Sequence, residues 1–375
     1  MSGAILLTGA TGFLGMETLA RLIDRGEQQI IVLVRNDDDR GVQQRLARVL
    51  AQLYDEPGRL ANQVHAVRGD LLEPGLGLSR EDRRRLVDSV DRIIHCAASI
   101  SFELPLEQAR AINVEGVVRM IELAREITAG GGLRRVVHVS TAYVGGRHSG
   151  EFREEDLDVG QEFRNTYERS KHEAEHLLRE ATDLPIVIAR PSIVVGHQTS
   201  GWTPAFNVIY WPIRAAERGL LKEVPARPDS IVDFVPVDYV TDGLIGLLED
   251  SAAQGTYHLV AGQQAMTAGE LVDLHALTSG RAPVRLVAND AAADVTNAAG
   301  AYAPYFDVRC CFDDARAGPV LTRAGVEKPQ PHEYLARLIA YAHATRWGKR
   351  PISREAAMSL AGVRRDSRTS GDQRA

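Results

Sequence analysis

Tyr167 and Lys171, in the stretch Asn165-Thr166-Tyr167-Glu168-Arg169-Ser170-Lys171, stand four residues apart in a strongly helical segment. That spacing puts both side chains on one face. A phenol with an unperturbed pKa of about 10 is a poor acid-base group at neutral pH, and a nearby ammonium favours the phenolate, so the pair is expected to bring the pKa towards the working range. The chain has only four lysines in 375 residues, which makes a chance pairing less frequent than in a lysine-rich protein. Upstream, Val136-Val137-His138-Val139 reads as a strand running into Ser140-Thr141-Ala142-Tyr143. A hydroxyl at the carboxyl end of such a strand can donate to a carbonyl oxygen while the tyrosine delivers a proton. Successive strand residues face opposite ways, so Ser140 and Thr141 compete for that role.

Protonating a carbonyl oxygen is half of a reduction, and the chain's opening is suited to the other half. Ala4-Ile5-Leu6-Leu7 reads as a buried strand, Thr8-Gly9-Ala10-Thr11-Gly12-Phe13-Leu14-Gly15 as a glycine turn, and the residues to about Ile23 as an amphipathic helix that Gly26 ends. Gly9 permits the tight turn, Gly12 lets backbone approach a pyrophosphate, and Gly15 lets helix pack on strand, with the anion at the helix N-terminus. A second strand, Ile30 to Val34, ends at Arg35, where an NAD-selective protein usually places an acid for the ribose. A guanidinium there suits a 2′-phosphate and favours NADPH over NADH. Asp37, Asp38 and Asp39 follow closely and keep a ribose contact, and so NADH, as the alternative.

Further strand-like runs at Val64 to Val67, Arg92 to Cys96, Arg135 to Val139, Pro185 to Ala189 and Thr256 to Val260 alternate with helical patterns near Leu106 to Ile127, Thr166 to Ala181 and Val240 to Leu248. This alternation predicts an α/β fold with a doubly wound parallel sheet. Residues 1–190 and 231–262 are assigned to the nucleotide domain. Residues 191–230 and 263–347 interrupt the winding beyond the strands' carboxyl ends and are assigned to a smaller, mostly C-terminal substrate lobe. Residues 363–375 have too little apolar content to pack and read as a disordered tail.

A net charge of −6 without a basic stripe argues against nucleic acid and for a small-molecule partner. Cys96, Cys310 and Cys311 lack metal-ligand spacing and read as reduced thiols. With no cationic leader before Ala4 and no apolar run of membrane-spanning length, a cytoplasmic protein without a membrane span is expected. No metal site is expected: among His95, His138 and His197, nearest the sheet, no pair has ligand spacing on one element. Oligomeric state leaves no mark in the sequence.

These motifs together resemble the extended short-chain dehydrogenase/reductases, a Rossmann family. The likeness covers the glycine motif, Asp70 in Gly69-Asp70-Leu71, the strand end Cys96-Ala97-Ala98, Asn113 in Asn113-Val114-Glu115-Gly116, the Ser-Thr strand end and the Tyr-Lys helix. The resemblance implies Thr141 as the active-site hydroxyl, Tyr167 as the acid, Lys171 as the residue that lowers its pKa and holds the nicotinamide ribose, and Asn113 as a support for Lys171. It further implies cofactor contacts from Gly9, Thr11, Gly12, Phe13, Leu14, Gly15, Arg35, Asp70, Leu71, Ala97, Lys171, Pro191 and Ser192.

Within that family, His95-Cys96-Ala97-Ala98-Ser99, Val139-Ser140-Thr141-Ala142-Tyr143-Val144, Asn165-Thr166-Tyr167 and Asp233-Phe234-Val235-Pro236-Val237-Asp238-Tyr239-Val240 resemble the thioester-reductase and fatty-acyl-CoA-reductase branch, over residues 4 to 262. That likeness implies reduction of an acyl thioester, carried by coenzyme A or a separate carrier protein, to the aldehyde, or to the alcohol after a second reduction. The alternative on the same scaffold is a sugar-nucleotide epimerase or dehydratase, or a ketone or hydroxysteroid dehydrogenase. A non-enzymatic redox sensor commonly lacks the Tyr-Lys pair. Trp202, Phe206, Ile209, Tyr210, Trp211 and Ile213 suit either an acyl chain or the core face of a helix, and core is the commoner use. Arg214 and Arg218 suit either a phosphate or a solvated helix face.

Overall fold

The computed structural model describes residues 3–60, 62–287 and 300–363. Seven strands form its central sheet: β1 (Ala4–Thr8), β2 (Ile30–Val34), β3 (Val64–Arg68), β4 (Val90–His95), β5 (Arg135–Val139), β6 (Ile186–Pro191) and β7 (Gly255–Leu259). Their order is β7-β6-β5-β4-β1-β2-β3, with every neighbouring pair parallel. The order reverses between β1 and β4, and ligands of such sheets bind beyond the carboxyl ends at that point.

Alternation along the strands feeds two apolar layers. Ile5, Leu7, Val32, Ile94 and Val137 pack on one face, while Ala4, Leu6, Ile31, Ile93 and Val136 pack on the other. Helices α1 (Phe13–Asp24) and α2 (Asp39–Leu53) cover the first layer. The second layer is covered by α3 (Arg80–Ser89), α5 (Glu115–Ala129) and α6 (Thr166–Glu180). The helix expected from Leu106 to Ile127 is two: α4 (Leu106–Asn113) stops one residue before α5 begins, which leaves Asn113 buried at its C-terminus.

Beyond β6, Ile193–Val195 pairs with Phe234–Pro236 and Glu223–Pro225 with Arg285–Val287. The helix Tyr210–Glu217 packs its Tyr210 and Ile213 with Phe234, Tyr334, Leu335 and Leu338 in a separate apolar cluster. Several elements escape the sequence reading, α2 and α3 among them, and so does the last described helix. A helix over Arg354–Leu360, capped by Ser353, returns to the nucleotide half, where Arg354 donates to Glu17 at 2.7 and 2.8 Å and to Asp24 at 2.9 Å. Its seven residues are too few for an apolar period to stand out, and what anchors it is a buried ion pair. The tail expected over 363–375 lies, from residue 364 on, outside the described residues. Among the described residues no helix is long and apolar enough to cross a membrane.

Candidate active site

The strand ends converge on a cavity of about 640 Å³. Gly9 follows β1 with φ +77°, and a Cβ there would lie 2.7 Å from the Ala97 backbone nitrogen, so β1 and β4 approach too closely for a side chain. At Gly15 a Cβ would lie 2.1 Å from the Gly9 carbonyl oxygen, which is why α1 can start directly on the turn. Gly12 caps α1 with no side-chain hydrogen bond, and the first amides of the helix border the cavity. The residues present therefore fit a dinucleotide: backbone N–H groups and a helix dipole at one end, and the Tyr-Lys helix at the other.

Of the residues expected at the site, Gly9, Thr11, Gly12, Phe13, Leu14, Gly15, Arg35, Asp70, Leu71, Ala97, Thr141, Tyr167, Lys171, Pro191 and Ser192 all line this cavity. Asn113 does not. Its amide is spent elsewhere: Oδ1 accepts from Ser99 N at 2.8 Å, and Nδ2 donates to Ser99 O at 3.1 Å and Ser170 Oγ at 2.9 Å. It ties the loop after β4 to α6 one residue before Lys171 and makes no direct bond to the lysine.

Thr141 accepts from Tyr143 N at 3.2 Å, capping a short turn, and donates to Pro191 O at 3.5 Å, and its hydroxyl lines the cavity with that of Tyr167. Ser140 also lines the cavity, its buried hydroxyl without a hydrogen-bond partner among the described residues. Burial pushes the Tyr167 phenol up to about 12, against the pull of Thr141. The expectation that Lys171 lowers this pKa is corrected here. Lys171 Nζ donates to Val139 O at 2.8 Å and meets His138 Nε2 at 3.1 Å, and desolvation prevails at the phenol. Burial also draws Lys171 itself down to about 8, with Glu175 and Cys96 partly opposing. Two of its three N–H groups are used, which leaves one for the cavity.

His138, read from the sequence as core or rim, is thus the direct partner of Lys171. Burial, and then Lys171, hold its pKa well below the usual value, and facing an ammonium that can only donate, its Nε2 is the acceptor. His95 lies against it at 5.1 Å between ring centres and shares a 2.7 Å hydrogen bond with Thr8 Oγ1, which also accepts from Ala97 N. The lysine and the glycine turn are joined through these two rings. Behind them the Arg190–Glu175 pair, fully buried at 2.7 Å, fixes α6 on β6; burial pushes the Glu175 carboxyl up, but Arg190 holds it below the usual range.

Sequence reading also passed over the aromatic wall beside Tyr167. Phe102 stacks on Tyr305 at 5.2 Å, meets Tyr302 edge-on at 5.5 Å and lies 5.8 Å from the Tyr167 ring. Tyr305 donates to Glu168 at 2.8 Å and accepts from Asn165, fastening the C-terminal segment to the start of α6. Only the lone aromatics after β4 and in Tyr302-Ala303-Pro304-Tyr305 hint at this wall. In the stripe singled out from sequence, Trp202, Ile209, Tyr210 and Ile213 are core, and of the six only Tyr210 borders the cavity. Arg214 lies over the Trp347 ring, away from the cavity lining.

At the adenine end, Arg45 joins Arg35 along the cavity and donates to the Arg35 carbonyl at 2.5 Å. Asp38 is taken up as the cap of α2, accepting from Gly41 N at 2.6 Å.

A seven-stranded parallel sheet, a glycine turn at its switch point and a Ser-Thr strand end facing a Tyr-Lys helix define an extended short-chain dehydrogenase/reductase. The family model described as male sterility protein, an NAD-binding family, matches residues 7–244, and the chain belongs to it. Fatty acyl-CoA reductase 1 of Xenopus laevis is 30% identical over 274 residues, 64% of this chain and 53% of that protein. The chain spans about half the length of the curated relatives it matches. Among solved structures, the terminal R domain from the myxalamid PKS-NRPS biosynthetic pathway aligns with a TM-score of 0.79 at 27% identity, covering 94% of this chain and 93% of that one. UDP-glucuronic acid 4-epimerase from Bacillus cereus, in complex with NAD, aligns with a TM-score of 0.66 at 17% identity, covering 91% and 99%. That last likeness is one of fold.

Proposed function

We infer that the chain is an NADPH-dependent reductase that converts an acyl thioester, on coenzyme A or a carrier protein, to the aldehyde. The observation that carries this reading is that the hydroxyl residues Thr141 and Tyr167 line one cavity with the glycine turn, beside an aromatic wall that suits an acyl chain. Acyl-CoA reductases among the relatives, and an R domain from a carrier-based pathway among the structures, support the thioester over a sugar nucleotide. The epimerase alternative has only the fold behind it.

When bound, the nicotinamide supplies hydride to the thioester carbonyl carbon. Thr141 donates to the carbonyl oxygen, and Tyr167, held protonated by its burial, gives that oxygen its proton. The C–S bond then breaks as the hydroxyl proton returns through Tyr167, and sulfur leaves as the thiol. In sum a thioester, NADPH and a proton give an aldehyde, a thiol and NADP⁺. Lys171, charged below about pH 8, sets the field on the nicotinamide side.

The domain assignment and the site roles given above belong to this reading. Purified protein supplied with NADPH and a panel of acyl-CoAs is expected to consume NADPH and release free thiol in equal amounts. Turnover of sugar nucleotides or hydroxysteroids with none on thioesters would overturn the reading.

The nucleotide preference has its own test. Arg35 and Arg45 border the adenine end while Asp38 is engaged as a helix cap. An Arg35→Ala, Arg45→Ala double variant is expected to raise KM for NADPH by about ten- to hundredfold, the worth of a charge-assisted hydrogen bond, and to leave KM for NADH nearly unchanged. Equal changes for the two nucleotides would argue against a 2′-phosphate contact.

A further inference from the structure

On the side of α6 turned from the cavity, His172 and His176 stand four residues apart, one helical turn, and face Asp158 of the loop before the helix. The spacing places both imidazoles on one face, a ligand geometry that the sequence reading, centred on the histidines nearest the sheet, passed over. His176 Nε2 lies 3.1 Å and His172 Nε2 3.2 Å from Asp158 Oδ1, and all three ligand atoms fall within 4.8 Å of one another. A tetrahedral ion with bonds of about 2.0–2.1 Å sets its ligand atoms roughly 3.3–3.4 Å apart, so two of the three edges are nearly formed.

The second observation is an unpartnered atom. His172 is 8% exposed, and its Nε2, although 3.2 Å from Asp158 Oδ1, is buried without a hydrogen bond among the described residues. Asp158 is carried by a firm loop: Leu157 is buried beside Tyr143 and Phe152, and the Asp156 carbonyl accepts from Arg190 at 2.8 Å and Arg179 at 3.2 Å. Phe163 walls the site, 4.9 Å from the His172 ring.

We propose that Asp158, His172 and His176 bind a divalent transition-metal ion of the Zn²⁺ type, which clips this loop to the helix that carries Tyr167 and Lys171. Two imidazoles exclude Ca²⁺ and Mg²⁺, which take oxygen ligands, and fit Zn²⁺, Co²⁺ or Ni²⁺. The site does not border the cavity, so its role is structural and is independent of which substrate is reduced.

The test uses the full chain without a histidine tag, stripped of metal by a chelator and titrated with CoCl₂. A saturable visible spectrum of a low-symmetry cobalt site is expected at a single equivalent, with loss on addition of ZnCl₂ and a ZnCl₂-dependent rise in Tm. His176→Ala and Asp158→Asn change side chains that are 42% and 67% exposed, so both variants keep the fold, and each is expected to weaken binding by at least about tenfold and to abolish the Tm shift. No saturable spectrum, unchanged affinity in both variants, or a sulfur-to-cobalt band that places the ion on Cys310 and Cys311 would each overturn the proposal. None of these readouts depends on turnover.

Discussion

Tyr167→Phe is expected to lower kcat for thioester reduction by roughly 10²–10⁴-fold, the usual worth of a positioned acid, while leaving the affinity for NADPH unchanged. Burial raises the phenol to about 12, so the wild-type group is protonated throughout the neutral range and is ready to donate. The variant keeps the ring, and with it the contact to Phe102 at 5.8 Å. It loses one hydroxyl, and Thr141 keeps Tyr143 N as its donor and Pro191 O as its acceptor, so the fold should change by no more than about 1 kcal/mol. Residual turnover would come from Thr141, which can still polarise the carbonyl. Steady-state kinetics with a fluorescence titration of NADPH separates the two effects. A variant with wild-type kcat would remove Tyr167 from the chemistry and end the proposed mechanism.

The same residues show how far the sequence can be read. Periodicity located β1, β2 and β5 because each is a run of apolar residues buried on both faces, and the glycine turn because close approach leaves no other residue a place at Gly9 and Gly15. The Tyr-Lys spacing placed two side chains on the cavity correctly, since helical geometry alone decides that. What it could not convey is the balance of environment. Whether a lysine lowers a phenol's pKa depends on where its N–H groups point, and these go to Val139 and His138, residues some thirty positions upstream. For the same reason the part that His138 plays was missed, and Phe102 and Tyr305 went unread: each acts through a partner distant in sequence. Asn113 was found by resemblance, and in the structure it fastens the loop after β4 to Ser170, the neighbour of Lys171.

Lys171→Met is expected to reduce turnover by roughly 10²–10³-fold, the loss that follows removal of one preorganised electrostatic group, and yet to make the protein more stable at neutral pH. The stability gain follows from linkage. Burial brings the folded-state pKa to about 8, below the unfolded value of about 10.4, so between these pH values the unfolded chain binds more protons and stability rises with pH. Below about pH 8 the full penalty of keeping a buried ammonium is present, some two pKa units or roughly 3 kcal/mol. Methionine removes that penalty but leaves Val139 O and His138 Nε2 without their donor, which costs about 1–2 kcal/mol. The net expectation is a gain of about 1–2 kcal/mol at pH 7 that disappears towards pH 10, measured by urea unfolding of both proteins at the two pH values. For the wild type, kcat/KM should fall as pH rises through about 8, where the free enzyme loses the charge on Lys171. A variant less stable than wild type at pH 7, with a flat alkaline profile for the wild type, would mean that the ammonium is held by more than the two acceptors seen here. The residue that weakens the fold and the residue that drives the reaction would then no longer be the same.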